Sequence, residues 1–370
     1  MKENKKTYQG IGTMTGTSLD GMDIAVCTFT VEEDHYDFHL DLAGQVEFDE
    51  TWKTRLKYLI DQSAEVYAKT HVYFGHWMGR ELRAFIEANQ LNPDFVAVHG
   101  QTIFHQPHKN FTSQIGDGET IVSYLNCPLV SNFRNKDVAL GGEGAPLVPM
   151  GEKYLLRDHK LFLNLGGICN LAFEGIAFDI TFCNLVLNLL YQRLSENPAT
   201  DYDPEGQTAR SGELNSELLQ QLNSLPFFAQ KPPKSLGWEW VEEEVLPIIK
   251  EFELPLADLL HTCCVHIAEQ IAISAKQVGA QGEKMLITGG GKHNTFLLEQ
   301  IEGKLSKVGI AIDQSISDDI IDYKEAIVFA FLGLRTLLGK PTTLASVTGA
   351  EYDVITGSVH LPGRGGYSFF

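Results

Sequence analysis

Two glycine-rich strand–turn–strand signals, one near the start of the chain and one near its middle, restrict what this sequence can fold into. The first runs from Gly10 through Gly16, Thr17, Ser18, Leu19, Asp20, Gly21, Met22 and Asp23, then returns as the apolar stretch Ile24–Phe29. The second runs from Leu161 through Asn164, Gly166 and Gly167, then returns as Ile168–Phe173. An apolar run, a glycine turn and a second apolar run predict a β-hairpin. Hydroxyls and bare backbone N–H groups at such turns form concavities that suit anions. Two of them, in two halves of one chain, suggest a nucleotide clamped between similar domains and hence a phosphoryl-transfer enzyme.

At 370 residues the chain exceeds what one core usually supports, so two domains are expected. The net charge of −19 and pI near 5.0 argue against nucleic acid or an anionic membrane as partner. An acidic protein that binds ATP must set local cations, backbone dipoles and Mg²⁺ against its own field. The six cysteines contain no CxxC pair, and the vicinal Cys263 and Cys264 lie in a helical pattern, so a reducing cytoplasm fits best. The first ten residues carry charge but no apolar segment, unlike a signal peptide. No run of about 18 apolar residues is apparent, so no membrane span is predicted.

Three strands are expected between Tyr8 and Glu47, helices over Glu50–Ile60 and Ala64–Asn89, and short strands at Phe95–Val98 and Leu129–Ser131. Glycine and proline cluster at Gly141–Pro146, which places the domain change nearby. The expected division is 1–131, completed by 341–370, against 132–340. The second half repeats the order: strands at Lys160–Leu165, Ile168–Phe173 and Ala177–Asp179, then a helix from Asn184 to Leu194. Further helices are expected near Glu213–Leu222, Trp240–Phe252, Leu256–Val278 and Tyr323–Leu338. Strand Lys284–Thr288 runs into Gly289, Gly290 and Gly291, with Asn294 as a helix N-cap. Element order and glycine placement repeat; sequence identity between the halves does not. Two α/β domains with mixed sheets follow.

Gly16, Thr17 and Ser18 offer donors for a phosphate tail, and Asp20 or Asp23 could hold Mg²⁺ directly or through water; a plain exposed hairpin is the competing reading. Gly166 and Gly167 gain weight only as the same element opening the other half. Gly289–Gly291 after a buried strand permits close approach to adenine or ribose, or is an ordinary strand-to-helix turn. There is no Walker A loop and no GxGxxG fingerprint. Asp179, placed at a strand end, could serve as general base, although on spacing alone a helix cap is the better reading. Arg134 could bind a substrate carboxylate or pair with Asp137 or Glu143. His99, Gln101 and Thr102 present polar groups just after a buried strand. His105 and His108 have a spacing metals sometimes use, but Pro107 between them discounts it.

Taken together and in order, several motifs resemble one family. They are Met14–Asp23, His99–His105, Phe133–Asp137, Gly141–Leu147, Asn164–Asn170, Pro232–Gly237, Gly289–Gly291, Glu325–Ala326 and Val347–Ala350. The chain resembles the anhydro-N-acetylmuramic acid kinases, cell-wall recycling enzymes of the sugar-kinase, actin and heat-shock ATPase superfamily. The resemblance implies a two-domain actin-like ATPase fold with ribonuclease H-like halves and a nucleotide cleft between the domains. It implies ATP and Mg²⁺ as cofactors and an anhydro amino sugar as substrate, whose bridge is opened by water while O6 is phosphorylated. By the same resemblance Asp179 and Glu325 are catalytic, and Gly16–Asp23, Gly166, Gly167 and Gly289–Gly291 bind the nucleotide. His99, Gln101, Thr102, Arg134, Asp137 and Glu143 contact the sugar, and Asp20 holds the metal. An isologous dimer is the default expectation.

One segment departs from the family. Where relatives usually have Asp-Thr-Gly-Pro-Gly-Asn, this chain has Asp179, Ile180, Thr181, Phe182, Cys183 and Asn184. An altered turn with a bulkier wall is expected there. Other readings are a kinase for a different anhydro or acidic sugar, a non-catalytic nucleotide- or sugar-binding protein, and a two-carboxylate glycosidase. The nucleotide-type loops argue against the last.

Overall fold

The computed structural model describes residues 5–16, 19–195, 200–232 and 234–363. Thr17 and Ser18, assigned above to phosphate binding, lie outside the described residues. Two compact units form, Met1–Arg157 with Asp322–Phe370, and Asp158–Ile321.

In the first unit β1 (Lys6–Thr15), β2 (Gly21–Glu32) and β3 (His35–Glu47) form an antiparallel meander. The first hairpin closes with Thr15 opposite Met22. β4 (Phe95–Val98) runs parallel to β1, β7 (Leu129–Ser131) runs parallel to β4, and Ser358–His360 completes the sheet. The hairpin β5 (Gln101–Gln106) and β6 (Phe111–Ile115) stands apart. It was not expected, because Gly100 and Pro107 break up a segment too short for clear alternation.

Ser63 caps the helix Ala64–Ala88, which buries Phe74, Trp77, Met78 and Leu82 at helical spacing against Ile11, Ile24 and Val96. The helix Lys324–Leu337 lies so close to β1 that a side chain on Gly12 would run into Ala326 O and Ala330 N.

The second unit repeats the pattern. β8 (Leu161–Leu165), β9 (Ile168–Phe173) and β10 (Ile176–Phe182) form an antiparallel meander. β11 (Lys284–Thr288) joins β8 in parallel, followed by β12 (Ala311–Ile312). The order β10-β9-β8-β11-β12 matches β3-β2-β1-β4-β7 strand for strand. Both units are thus α/β with mixed sheets, and the repeat of element order is a repeat of topology.

The division differs from the expected one at both ends. Residues 132–157 and the helix Lys324–Leu337 belong with the first unit. The Gly141–Pro146 cluster is a fastened loop rather than a linker: Gly144 N donates to Asp137 Oδ2 at 2.8 Å, and Glu143 N to Thr348 O at 2.7 Å.

The helix Leu256–Gln277 corrects the expectation that no stretch was long and apolar enough to cross a membrane. By length and composition it is, but 67% of its apolar window is buried. Leu260, Cys263, Cys264, Ile267 and Ile271 sit in the second unit's core. All six cysteines are free and buried.

His266 on that helix is fully buried, and desolvation pushes its imidazole from 6.5 down to about 3. Below pH 6.5 the unfolded chain takes up a proton that the folded chain refuses until pH reaches about 3. Stability should therefore fall as pH drops through that window. Chemical denaturation of His266→Gln should show a slope shallower by up to one proton, about 1.4 kcal/mol per pH unit.

Candidate active site

In the first unit, the end of β1 and Gly16 are tied to the junction of β4 and β5. Thr15 Oγ1 donates to Gly100 O at 2.8 Å and Gln101 Nε2 to Gly16 O at 3.2 Å. Gln114 Nε2 reaches Thr102 Oγ1 at 3.4 Å. Thr13 Oγ1, Gln101 Oε1 and Gln114 Oε1 are buried without a hydrogen-bond partner among the described residues. Buried polar groups are rarely left so without a ligand or water to receive them.

Arg134 lies beside this cluster. Its Nε donates to His99 Nε2 at 2.9 Å and its Nη1 to Gly144 O at 2.7 Å. Both acceptors are neutral, and among the described residues no carboxylate is within ion-pair distance. The pairing with Asp137 or Glu143 weighed above is therefore absent. Burial and the Arg134 charge push His99 well below the usual histidine range, so it is a neutral acceptor. Burial lowers Arg134, and the Glu325 carboxylate raises it again. Glu325 is exposed in the first turn of helix Lys324–Leu337, and its approach is what the bare Gly12 permits.

Asp23 is held above the usual carboxylate range, first by burial and then by Asp20, Glu325 and Asp322, against the hydrogen bond from Gln45. Asp20 Oδ1 accepts from Gly21 N at 3.0 Å. Four carboxylates thus share one neighbourhood.

Several of the assigned residues also serve the fold. Asp137 is fully buried, with Oδ2 taken by Gly144 N and Oδ1 by Thr348 Oγ1 at 2.9 Å, so it pins the loop. The Met22 side chain lies in the core, and Gly21 is bare because Val46 O of β3 occupies the space where a Cβ would stand. Glu143 is exposed on the pinned loop.

In the second unit, the Gly166–Gly167 turn caps the helix Asn184–Leu194. Gly167 O accepts from Cys183 N at 2.8 Å and Leu185 N at 3.1 Å, and Gly166 O from Asn184 N at 3.1 Å. Gly289 takes a φ of +86°, and side chains on Gly289 or Gly291 would meet Leu165. Gly290 alone faces open space. It lines a cavity of about 470 Å³ with Asn184, Asn188, Tyr202, Asp203 and Asn294, within the range that takes a nucleoside. Asn294 caps the helix Thr295–Ser306, accepting from Leu297 N at 2.9 Å, as the sequence predicted.

Asp179 does not end its strand. It stands inside β10 at a bulge between Asp179 and Thr181, and the cap position of the next helix belongs to Cys183. The helix-cap reading is therefore excluded. Asp179 Oδ2 accepts from Ser235 Oγ at 3.0 Å and Leu236 N at 2.8 Å, while Asp179 N donates to Lys234 O at 3.0 Å. The residues after it form no turn. Ile180, Thr181, Phe182 and Cys183 are fully buried, so the expected bulky wall is instead core packing.

A family model for anhydro-N-acetylmuramic acid kinase matches residues 8–362. The chain belongs to the anhydro-N-acetylmuramic acid kinase family. The kinase of Francisella tularensis subsp. novicida is 32% identical over 378 residues, covering 95% of this chain and 98% of that one. The Sulfurimonas denitrificans kinase is 30% identical over 371 residues, with 95% and 98% covered. A dehydratase activator from Clostridium difficile with bound ADPNP superposes with a TM-score of 0.41 at 10% identity, over 90% of this chain and 97% of that one. Family membership makes the protein an ATP-using phosphotransferase of peptidoglycan recycling.

Set against the kinase family motifs, the first unit gathers His99, Gln101, Thr102, Arg134, Asp20, Asp23 and Glu325; the second holds Asp179 on Ser235 and Leu236, and separately the cavity lined by Gly290 and Gly291. Sequence reasoning missed Gln114, Tyr202 and the contacts of Ser235 and Leu236 to Asp179. The Pro232–Gly237 motif was the signal for the last, but nothing in its composition tied Ser235 to a carboxylate 56 residues earlier on another element.

Proposed function

We propose that this kinase opens 1,6-anhydro-N-acetylmuramic acid with water and phosphorylates O6, giving N-acetylmuramic acid 6-phosphate and ADP. The observation that carries this reading is Asp179, a half-buried carboxylate that caps no helix and is aimed by a bulge. With Oδ2 engaged by Ser235 and Leu236, Oδ1 is the oxygen placed to take a proton from water. That water attacks the anomeric carbon, the bond from C1 to the bridging oxygen breaks, and the freed O6 attacks the γ-phosphate while ADP leaves. A carboxylate base in place and fixed positioning are what such a displacement needs.

Arg134, a cation bonded only to neutral acceptors, suits the substrate's carboxylate. Adenosine takes the cavity lined by Gly290, Asn188 and Asn294. Within the second unit, the Gly166–Gly167 turn offers backbone N–H groups to phosphate oxygens. Mg²⁺ fits the acidic neighbourhood of Asp20, Asp23 and Glu325, whose mutual repulsion a divalent cation relieves. Among the described residues no three acidic, histidine or cysteine side chains converge on one point, which suits an ion that keeps several waters and uses one or two carboxylates with phosphates. When bound, it would neutralise charge on the transferring phosphoryl group.

Gly290→Leu separates cavity from fold. The nearest atom to a Cβ there is Asn184 Nδ2 at 4.0 Å, so the fold should tolerate the substitution. ATP affinity should fall at least ~10-fold, the loss of about 1.4 kcal/mol of binding, with little change in melting temperature. Titration calorimetry and thermal melting check both. The substrate assignment is tested by coupled ADP release across anhydro and ordinary amino sugars. The anhydro-muramic sugar should be the strongest stimulator; equal stimulation by an open-chain or ordinary sugar would overturn it.

A further inference from the structure

Asp179 and Thr181 are two residues apart on β10, a spacing that in a regular strand puts both side chains on one face. The bulge separates them. Asp179 pairs with Asn170 but Thr181 pairs with Cys169, adjacent residues of β9 that face opposite sides, and Ile180 is the extra residue. Thr181 is accordingly turned into the core, fully buried, with its Oγ1 3.0 Å from His266 Nε2. Asp179 stays on the other face with Ser235 and Leu236.

The proton arrangement follows from the chain of partners behind His266. The Glu269 carboxylate, bonded to Lys304 Nζ at 2.6 Å, can only accept, so Asn223 Nδ2 donates to its Oε2 at 2.8 Å. Asn223 Oδ1 then accepts from Gln270 Nε2 at 2.8 Å and from His266 Nδ1 at 2.7 Å. His266 carries its proton on Nδ1, which leaves Nε2 as an acceptor for the Thr181 hydroxyl. Burial holds the imidazole neutral, as this pattern requires. Phe182 stacks on the ring with centroids 5.1 Å apart and planes at 17°.

We propose that Thr181 and His266 are positioning residues for the base: their hydrogen bond holds the β10 bulge that sends Asp179 to the opposite face. The inference rests on the reading of Asp179 as the base. Losing the hydroxyl leaves a buried acceptor unpaired and removes the strand's reason to break its alternation. The carboxylate then shifts against its substrate, and a displacement of about 1 Å is enough to cost roughly 100-fold in rate.

The test compares Thr181→Val, Thr181→Ser, Asp179→Asn and the double variant Asp179→Asn/Thr181→Val by steady-state and single-turnover kinetics. Thr181→Val should lower kcat about 10- to 100-fold, with KM for ATP and sugar within about twofold. Thr181→Ser, which keeps the hydroxyl, should restore kcat. In the Asp179→Asn background the valine should add no further loss, since a residue acting through Asp179 has nothing left to position. A valine variant with normal kcat and only a lowered melting temperature would overturn the proposal, as would an additive loss in the double variant. If the valine variant does not fold, Thr181→Ala is read by the same criteria. Near-normal turnover in Asp179→Asn would instead overturn the base assignment itself, whatever the Thr181 variants do.

Discussion

Asp179→Asn should cut turnover by at least ~100-fold, the lower end for general base catalysis, while ATP and sugar affinity and melting temperature change little. The asparagine keeps the shape of the side chain. Its Oδ1 can still accept from Ser235 Oγ and Leu236 N, the two donors that Asp179 Oδ2 now engages. What it loses is the capacity to take a proton. A purely structural Asp179 would therefore tolerate the change, since both of its observed side-chain bonds survive. Turnover, nucleotide affinity and melting temperature measured on the one variant separate the cases.

Gly12→Ala should be the most damaging single methyl addition in the first unit. The added Cβ would overlap Ala326 O and Ala330 N, backbone atoms of helix Lys324–Leu337 that cannot rotate aside. The helix must move off β1, and it carries Ala326, Phe329, Ala330 and Phe331 out of close packing. Overpacking of this kind costs about 3 kcal/mol or more, which for a unit of this size lowers the melting temperature by roughly 6 °C or more. The same shift moves Glu325, so residual activity should fall beyond what the unfolded fraction explains. Gly303→Ala, at an exposed helix position where a Cβ meets nothing within 4 Å, is the control and should leave activity unchanged and stability unchanged or slightly raised.

Much of this was legible in the sequence because local signals and the fold agree. The two glycine hairpins, the strands Ile168–Phe173 and Lys284–Thr288 and the Asn294 cap carry their own turn and cap chemistry. What misled was context at a distance. Asp179 reads as the end of a short apolar strand just before a turn and a helix, yet the strand continues through Phe182. A bulge held by His266, 85 residues away, leaves no mark on local alternation. Asp137 stood within a motif shared with substrate-binding neighbours, and only burial against Gly144 and Thr348 shows that it serves the loop. Gly141–Pro146 reads as the domain change because glycine and proline mark fastened loops and boundaries alike.

In the proposed reaction water opens the sugar while O6 takes the phosphoryl group. The most direct measurement is mass spectrometry of the product formed from ATP, Mg²⁺ and 1,6-anhydro-N-acetylmuramic acid in ¹⁸O-labelled water. It should be read at early times against pre-formed product that corrects for exchange at the anomeric carbon. The account predicts one ¹⁸O at C1, none in the phosphoryl group, and one ADP for each sugar phosphate. Label in the phosphoryl group, or ADP released without sugar 6-phosphate, would contradict it.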